Sequence, residues 1–309
     1  MLTRRDFLPT LPALASAPFL AKFGEASVAH PEWIDAHVHV WTPDTEKYPL
    51  SPRFKKSDMA PPSFTPEELF AHCQPEAVTR IVLIQMSFYE FDNRYMLDCI
   101  ARYKGVFSGV GIIDETQPRI EETMKSMASQ GVRGFRLYTD KQKASGWQDS
   151  AGMKAMWSYG ADAGLAMCLL ANPDALPMVH AMCQRYPKTP VVIDHFARIG
   201  ISGAIDAKDL DNLCRLAAFD HVYVKTSAFY ALGAKKAPYR DLGPMIQRLV
   251  KEFGSHRLMW ASDCPYQVGN DHTYADSIAL IRSGLEFLTD RDKKNLLRDT
   301  AAKVFFGVS

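Results

Sequence analysis

The pair His37 and His39 is the first feature of this sequence whose residue types and spacing could do chemistry. It lies in a short apolar run, 33–41, that predicts a β-strand with Asp35, His37, His39 and Trp41 on one face. Parallel strands are usually apolar on both faces, and burying a polar group without a partner costs about 1–3 kcal/mol. The polar row therefore indicates either structural histidines held by hydrogen bonds or a reactive site, and the residues that end two later strands favour the reactive site.

Two more ionisable side chains end apolar runs further along the chain. His195 ends the run 190–195, and Asp263 ends the run 257–263. Barrel enzymes place reactive residues at strand ends, and the apolar residues before these two make a helix-capping role hard to support. Asp194, in contrast, is interpreted as a cap of the following helix. The predicted catalytic site consists of Asp263, His195, His37 and His39.

The elements that must position these side chains alternate along the chain. Short β-branched or apolar runs predict eight strands, at 33–41, 80–86, 106–113, 132–138, 165–171, 190–195, 221–226 and 257–263. Segments of helical period predict helices at 93–103, 119–130, 153–163, 173–186, 207–218, 243–253 and 273–288. Eight strand–helix units favour an α/β fold, the (β/α)8 TIM barrel, over an open doubly wound sheet. The predicted barrel is a single domain, closed by pairing of the last strand with the first.

The connector 42–75 after the first strand is rich in proline and too long for an ordinary loop. Insertions that follow a barrel strand lie at the catalytic mouth, so we expect this segment to cover the site. A final helix is predicted over 292–306.

The composition argues against several other classes of protein. The 36 Lys and Arg residues balance 35 Asp and Glu residues, which gives a formal net charge of +1. Such a chain has no excess of basic residues with which to bind nucleic acid. Its six cysteines contain no C-x-x-C pair, so neither a zinc ribbon nor a small disulfide scaffold is indicated.

Residues 1–29 resemble an export signal of the twin-arginine type. Arg4 and Arg5 precede an uncharged run, 7–21, and residues 27–29 form a small-x-small cleavage site. The run contains three prolines and is shorter than the about 20 apolar residues of a spanning helix, so no stable membrane anchor is expected. We expect a periplasmic protein whose mature part, 30–309, is the barrel domain.

The motifs at 34–41 (IDAHVHVW), 192–195 (VIDH) and 259–266 (MWASDCPY) together resemble the amidohydrolase superfamily. The chain is similar in particular to the amidohydrolase-related branch that contains sugar lactonases and 2-pyrone-4,6-dicarboxylate lactonase. The resemblance covers essentially the whole of 30–309. It implies that the protein is a hydrolase and that its partner is a small-molecule lactone or related carbonyl compound, sugar-derived or carboxylated.

The resemblance also implies roles for the four predicted catalytic residues. His37 and His39 match the first-strand pair, His195 matches the sixth-strand histidine, and Asp263 matches the eighth-strand aspartate that acts as general base. We expect burial to raise the pKa of Asp263 so that its carboxylate deprotonates the attacking water. The three imidazoles are then expected to polarise the carbonyl and stabilise the developing oxyanion.

The metal content is the point at which the sequence departs from the superfamily pattern. The fifth strand ends in 169–172 (LLAN) without a histidine, and the fourth carries Arg136 where a bridging lysine or glutamate is common. Two metal ions are therefore not expected, and a site that requires no cofactor is favoured. A single zinc ion held by His37, His39 and Asp263 stays open, because three protein ligands and a water make a workable zinc site.

Five further residues are predicted to contact the substrate at the mouth of the barrel. Arginine suits a carboxylate because its guanidinium donates two parallel hydrogen bonds. The ordinary alternatives are solvated arginines and packed tyrosines. The predicted substrate-binding residues are Arg136, Tyr138, Arg198, Tyr230 and Tyr266.

Two other functions stay open. Related barrels perform zinc-dependent decarboxylation, which normally relies on the fifth-strand histidine that this sequence lacks. The chain could instead be an exported barrel that binds sugars or lactones without turnover, although a base opposite three imidazoles has little use in a pure binder.

Overall fold

The computed structural model describes residues 32–307, which form eight strands paired in parallel in chain order. Helices connect consecutive strands, as a parallel sheet requires, and the predicted (β/α)8 barrel is confirmed. The predicted signal, 1–29, lies outside the described residues. The strands are β1 (Trp33–Val38), β2 (Val78–Ile84), β3 (Phe107–Gly111), β4 (Val132–Thr139), β5 (Ala166–Ala171), β6 (Val191–Ile193), β7 (Val222–Ser227) and β8 (Leu258–Ala261).

The helices pack around the strands and largely follow the predicted segments. The α-helices are α1 (Pro66–Cys73), α2 (Arg94–Arg102), α3 (Ile120–Ser129), α4 (Lys141–Ser145), α5 (Ala151–Ala163), α6 (Leu176–Arg185), α7 (Ala207–Arg215), α8 (Gly243–Phe253), α9 (Tyr274–Ala279), α10 (Asp290–Lys294) and α11 (Thr300–Phe305). The helix predicted at 273–288 is shorter, because a π-helical turn, Leu280–Gly284, follows α9 and Leu285 is extended. No helix within 32–307 is both long and apolar enough to cross a membrane.

The connector after β1 contains a helix that the sequence analysis missed. Helix α1 begins with Pro66, and the Thr65 and Glu68 side chains cap it reciprocally. A threonine followed by proline and, three residues later, glutamate is a recognisable helix start, so the signal was present. Within the predicted insertion, 42–65 contains no α-helix, only the short 3-10 turn Lys56–Asp58.

Strand β1 contains a bulge that reverses its alternation. From Asp35 to Val38 the strand advances three residues while β2 advances two, from Ile81 to Leu83. Ile34 and Ala36 pack inside the barrel with residues of the other strands, such as Val82, and Asp35 between them faces outward. The extra residue then lets His37 and His39 face inward as well. The prediction that Asp35 shares a face with His37 and His39 is therefore wrong.

Asp35 instead joins the first strand to the last. Its Oδ1 accepts hydrogen bonds from the backbone N–H groups of His37 and Ser262, at 3.1 and 2.9 Å, and its Oδ2 accepts from Tyr274 Oη, at 2.8 Å. The backbone adds two bonds, from His39 N to Cys264 O and from Asp263 N to His37 O. These contacts bring the carboxyl end of β8 beside His37 and His39 at the carboxyl end of β1.

Candidate active site

Four side chains predicted to be catalytic meet at the carboxyl ends of the strands. Asp263 Oδ1 lies 3.5 Å from His37 Nε2, 3.6 Å from His39 Nε2 and 3.7 Å from His195 Nε2. All four residues are buried. Residues far apart in the sequence therefore form one compact cluster of a carboxyl group and three imidazoles.

The carboxyl group of Asp263 is held with one oxygen bonded and the other facing the imidazoles. Tyr230 Oη donates to Oδ2 at 2.7 Å, which leaves Oδ1 toward the histidines. Burial raises the pKa of Asp263 to about 7, against the hydrogen bond from Tyr230 and the charge of Arg136, which lower it. The residue also has a left-handed backbone, with φ of 67°. Such strained conformations persist where the surrounding structure fixes them, and they concentrate at functional sites.

His195 lies in a left-handed turn beyond its strand. Strand β6 ends at Ile193, and the next residues through Arg198 include four consecutive positive φ angles, 50° at His195, 53° at Phe196 and at Ala197, and 61° at Arg198. Each such residue costs roughly 1–2 kcal/mol. The prediction that the strand continues to His195 is therefore wrong. The turn places His195 Nδ1 2.8 Å from Ser227 Oγ, and burial lowers the pKa of His195 to about 3.

His37, in β1, and His39, just beyond its end, form a directed chain of hydrogen bonds. His39 Nδ1 lies 2.9 Å from the Ile84 carbonyl, which only accepts, so neutral His39 carries its proton on Nδ1 and leaves Nε2 bare. His37 Nε2, at 3.3 Å, is then the donor to His39 Nε2. Burial lowers the pKa of both imidazoles well below the ordinary value, with help from Lys225 at His37 and from Arg136 at His39.

A buried ion pair beneath His37 was missed by the sequence analysis. Lys225 on β7 is fully buried, with its Nζ 2.9 Å from Asp194 Oδ1 and 3.2 Å from His37 Nδ1. Although burial raises the pKa of Asp194, the ammonium of Lys225 and the His37 imidazole hold it well below its ordinary value. The prediction that Asp194 caps a helix is wrong, because its carboxylate faces Lys225 inside the barrel. A lysine within the apolar run 222–227 was the available signal.

We expect Lys225→Met to destabilise the protein by about 3–5 kcal/mol, because it leaves the Asp194 carboxylate as an uncompensated buried charge. The double variant Lys225→Met/Asp194→Asn, which removes both charges, should recover much of that loss. Urea unfolding of the three proteins measures the effect. A double variant no more stable than the single one would show that the ion pair does not account for the loss.

Arg136 on β4 lies directly against the histidine pair. Its Nη1 is 3.3 Å from His37 Nε2 and 3.4 Å from His39 Nε2, so it can donate to the bare Nε2 of His39. The guanidinium carbon lies 4.9 Å from the centre of the Tyr138 ring. Arg136 is buried, with 5% of its surface exposed. A fixed positive charge therefore stands beside the imidazoles.

A cavity of about 460 Å³ opens above this cluster. His39, His195 and Asp263 reach it, and Arg198, half-buried at its wall, donates to Asn172 Oδ1 at 2.8 Å. All five residues predicted to contact a substrate line the cavity: Arg136, Tyr138, Arg198, Tyr230 and Tyr266.

The sequence profile of a family described as "Amidohydrolase" matches residues 34–307, nearly all of the described chain. The chain belongs to the amidohydrolase family. Among curated relatives of this amidohydrolase is a 4-sulfomuconolactone hydrolase of Rhizobium radiobacter, 26% identical over 234 residues and 75% of each chain. Another is an L-fucono-1,5-lactonase of Burkholderia ambifaria, 29% identical over 237 residues, which cover 75% of this chain and 80% of the relative. The prediction of an amidohydrolase-related hydrolase is confirmed.

Solved structures share the fold of this amidohydrolase. A probable 2-pyrone-4,6-dicarboxylic acid hydrolase from Acinetobacter baumannii, with citric acid bound, superposes with a TM-score of 0.73 at 22% identity and covers 89% of this chain and 100% of its own. An amidohydrolase from Burkholderia multivorans with bound zinc gives 0.73 at 21% identity, over 89% of this chain and 99% of its own. At these identities the likeness shows the barrel fold.

The cluster fits a metal ion in its donor set. His37, His39 and Asp263 each offer one ligand atom, and the three atoms lie within 4.8 Å of one another. Two imidazoles and a carboxylate are suitable zinc ligands. Arg136 contacts both imidazole Nε2 atoms, so any ion there would lie beside a guanidinium.

Proposed function

We propose that this amidohydrolase hydrolyses a carboxylated lactone, with Asp263 as the general base that activates water. The observation that carries the proposal is that Asp263 lines the cavity, with its Oδ1 within 3.5–3.7 Å of three imidazole nitrogens. The lactone-hydrolysing relatives support the reaction class. The two arginines of the cavity support an anionic substrate.

The base acts through Oδ1, since Tyr230 occupies Oδ2. A water bonded to Oδ1 loses its proton to the carboxylate as its oxygen attacks the lactone carbonyl. The ring C–O bond then breaks, and protonated Asp263 returns the proton to the leaving alkoxide. The product is the open-chain hydroxy acid, and the enzyme regains its ionised base.

The developing oxyanion needs donors, and the contacts assign different parts to the histidines. Arg136, which lines the cavity, is placed to donate, and such a donor contributes about 2.7–4 kcal/mol in acyl transfer, whereas the Nε2–H of His37 is already donated to His39. His39 takes a different part from the expected one, because its bare Nε2 accepts hydrogen bonds and cannot polarise a carbonyl. It serves to orient Arg136 and His37.

We propose further that hydrolysis does not require a metal. A zinc ion held by His37, His39 and Asp263 would polarise the substrate carbonyl as a Lewis acid. The Arg136 guanidinium already supplies a fixed positive charge at the two imidazoles. It also disfavours a second cation at the same nitrogens.

Proton release on a panel of carboxylated pyrone lactones and aldonolactones tests the proposed reaction. We expect turnover of a carboxylated lactone and unchanged rates after treatment with a chelator. Binding without turnover by the whole panel would instead support the non-catalytic binder. Loss of activity on chelation, restored by zinc, would contradict the metal-free reaction.

The pH profile should show the state of the base. Because only ionised Asp263 accepts a proton and its pKa is raised to about 7, kcat/KM should rise with pH through an inflection near that value. Tyr230→Phe should move the inflection upward, since the Tyr230 hydrogen bond lowers the pKa of this carboxyl. Initial rates from about pH 5 to about pH 9, corrected for spontaneous hydrolysis, measure both. The same inflection in both proteins would argue against Asp263 as the titrating base.

We propose that residues 1–29 export the protein to the periplasm by the twin-arginine route. The paired Arg4 and Arg5 and the small residues 27–29 support this proposal. Fractionation of cells that express the full chain should find a processed form in the periplasm, and the double variant Arg4→Lys/Arg5→Lys should stay in the cytoplasm. Periplasmic recovery of that variant would contradict the route.

A further inference from the structure

A second cavity of about 570 Å³ lies next to the active-site cavity. The two share Ser87, Arg136 and Tyr138 as walls. Pockets of about 300–1,000 Å³ hold drug-sized ligands, so each cavity is larger than a single lactone ring. The second cavity, called here the side compartment, therefore offers room for a further part of a substrate.

The side compartment combines apolar walls with charged residues of both signs. Buried apolar residues that line it include Ile112, Ile113, Trp147 and Met153. Its charged residues are Arg53, Lys143 and Arg136 against Glu90 and Glu115; Arg53 pairs with Glu90, and Arg136 lies against the histidine pair. A neutral, apolar group suits such a surface better than an ion.

Exposed apolar side chains ring the two cavities. Within residues 32–307 the large hydrophobic residues that are more than a third exposed are Phe91 (51%), Ile201 (42%), Tyr138 (39%) and Tyr266 (37%). Phe91 lines the side compartment, Ile201 and Tyr266 line the first cavity, and Tyr138 lines both. Exposed apolar groups collected around a cleft mark a binding surface.

We propose that the side compartment binds a neutral, aryl-sized apolar substituent of the substrate, while the carboxylate and the lactone ring occupy the first cavity. This inference rests on the proposed function for the anionic anchor. It specifies the substrate class as a carboxylated lactone that carries a bulky apolar group.

Binding of two non-hydrolysable acids tests the compartment without catalysis. Benzoate presents the carboxylate alone, and 4-phenylbenzoate adds one aryl group. In calorimetric titrations of the full chain, 4-phenylbenzoate should bind about tenfold tighter or more, which corresponds to removal of roughly 60 Å² of apolar surface from water. A failure of lactone hydrolysis would leave this preference intact, so the two proposals are distinguishable.

Matched variants locate the preference. Phe91→Ala removes an exposed rim residue of the side compartment and should reduce the ratio of the two affinities, whereas Ile201→Ala, on the rim of the first cavity, should preserve it. Gly146 lines the side compartment, and a Cβ there meets only Lys143 O, at 3.9 Å. Gly146→Phe should therefore fill the compartment and remove the preference, while Gly146→Ala should keep it. Thermal melts check that each variant is folded.

Several outcomes would overturn the proposal. Equal affinities of the two acids for the unaltered protein would show that no apolar compartment is used. A preference that survives both Phe91→Ala and Gly146→Phe would place the aryl group elsewhere. A glycosylated benzoate that binds as tightly as 4-phenylbenzoate would show a polar compartment, and absence of binding by either acid would remove the anionic anchor as well.

Discussion

Replacement of Asp263 by asparagine is expected to lower kcat for lactone hydrolysis by about a thousandfold or more, because a positioned general base contributes about 10²–10⁴ in rate. Asparagine keeps the size of the side chain and an acceptor for Tyr230 but cannot take a proton from water. Steady-state proton release with the best substrate of the panel measures the loss. Asp162→Asn, an exposed aspartate on α5, is the matched control and should leave kcat unchanged.

The same replacement should stabilise the protein at neutral pH. The carboxyl has a folded pKa of about 7 against an unfolded value of about 3.9, so its ionisation favours the unfolded chain. The cost begins as pH rises past about 4 and is complete above about 7, so the gain in melting temperature should be larger at about pH 8 than at about pH 5. A variant that loses activity without becoming more stable would indicate that burial does not raise the pKa of Asp263. A variant that keeps its activity would dispose of the base assignment.

The order and approximate positions of the strands were predictable from the sequence, because a run of apolar residues is a local signal. The apolar residues before Asp263 form a buried strand, and the carboxyl end of that strand is where a barrel exposes its site. The same reasoning placed Arg136 and Tyr138, which lie two residues apart on β4 and both line the cavity. The number of apolar runs therefore predicts most of the fold, and the alternation of residues along them predicts which side chains face the site.

What escaped prediction depends on backbone conformations that side-chain pattern does not encode. The bulge of β1 turns Asp35 away from His37 and His39, and a pure alternation could not anticipate one extra residue. The left-handed turn at His195 is equally hidden, because none of its residues is a glycine that would signal positive φ. Both features are held by contacts with other strands, such as Ser262 at Asp35 and Ser227 at His195.

The ion pair of Lys225 with Asp194 was missed for a related reason. In the sequence the two residues lie on different runs, and each has an ordinary explanation on its own, as a surface lysine and a helix cap. Only the barrel places them 2.9 Å apart beneath His37. A charged residue inside an apolar parallel strand should therefore be weighed as a partner for another buried charge.

Replacement of Arg136 by methionine is expected to slow hydrolysis and to let a zinc ion take the place of the lost guanidinium charge. Hydrolysis should fall by about 10²–10³, the loss seen when one oxyanion donor is removed. Zinc affinity should rise by about a hundredfold or more, since unit charges 4 Å apart interact by about 4 kcal/mol near a protein surface and a hundredfold needs only about 2.7 kcal/mol. The bare Nε2 of His39 and the Asp263 carboxylate then face the ion without a competing guanidinium. Competition with a fluorescent zinc chelator measures the affinity independently of turnover.

Two further variants show whether the charge of Arg136 is the cause. Arg136→Lys keeps a cation near the imidazoles and should not gain zinc affinity, while Arg198→Met removes an arginine of the same cavity that does not contact them and should raise KM only. If the unaltered protein binds one zinc per chain as tightly as Arg136→Met does, the guanidinium does not exclude the metal. The proposal that Arg136, and not a metal ion, supplies the positive charge of the site would then be wrong. If zinc binding appears only when this charge is removed, the histidine pair is a metal-binding site from which Arg136, on the fourth strand, excludes the metal.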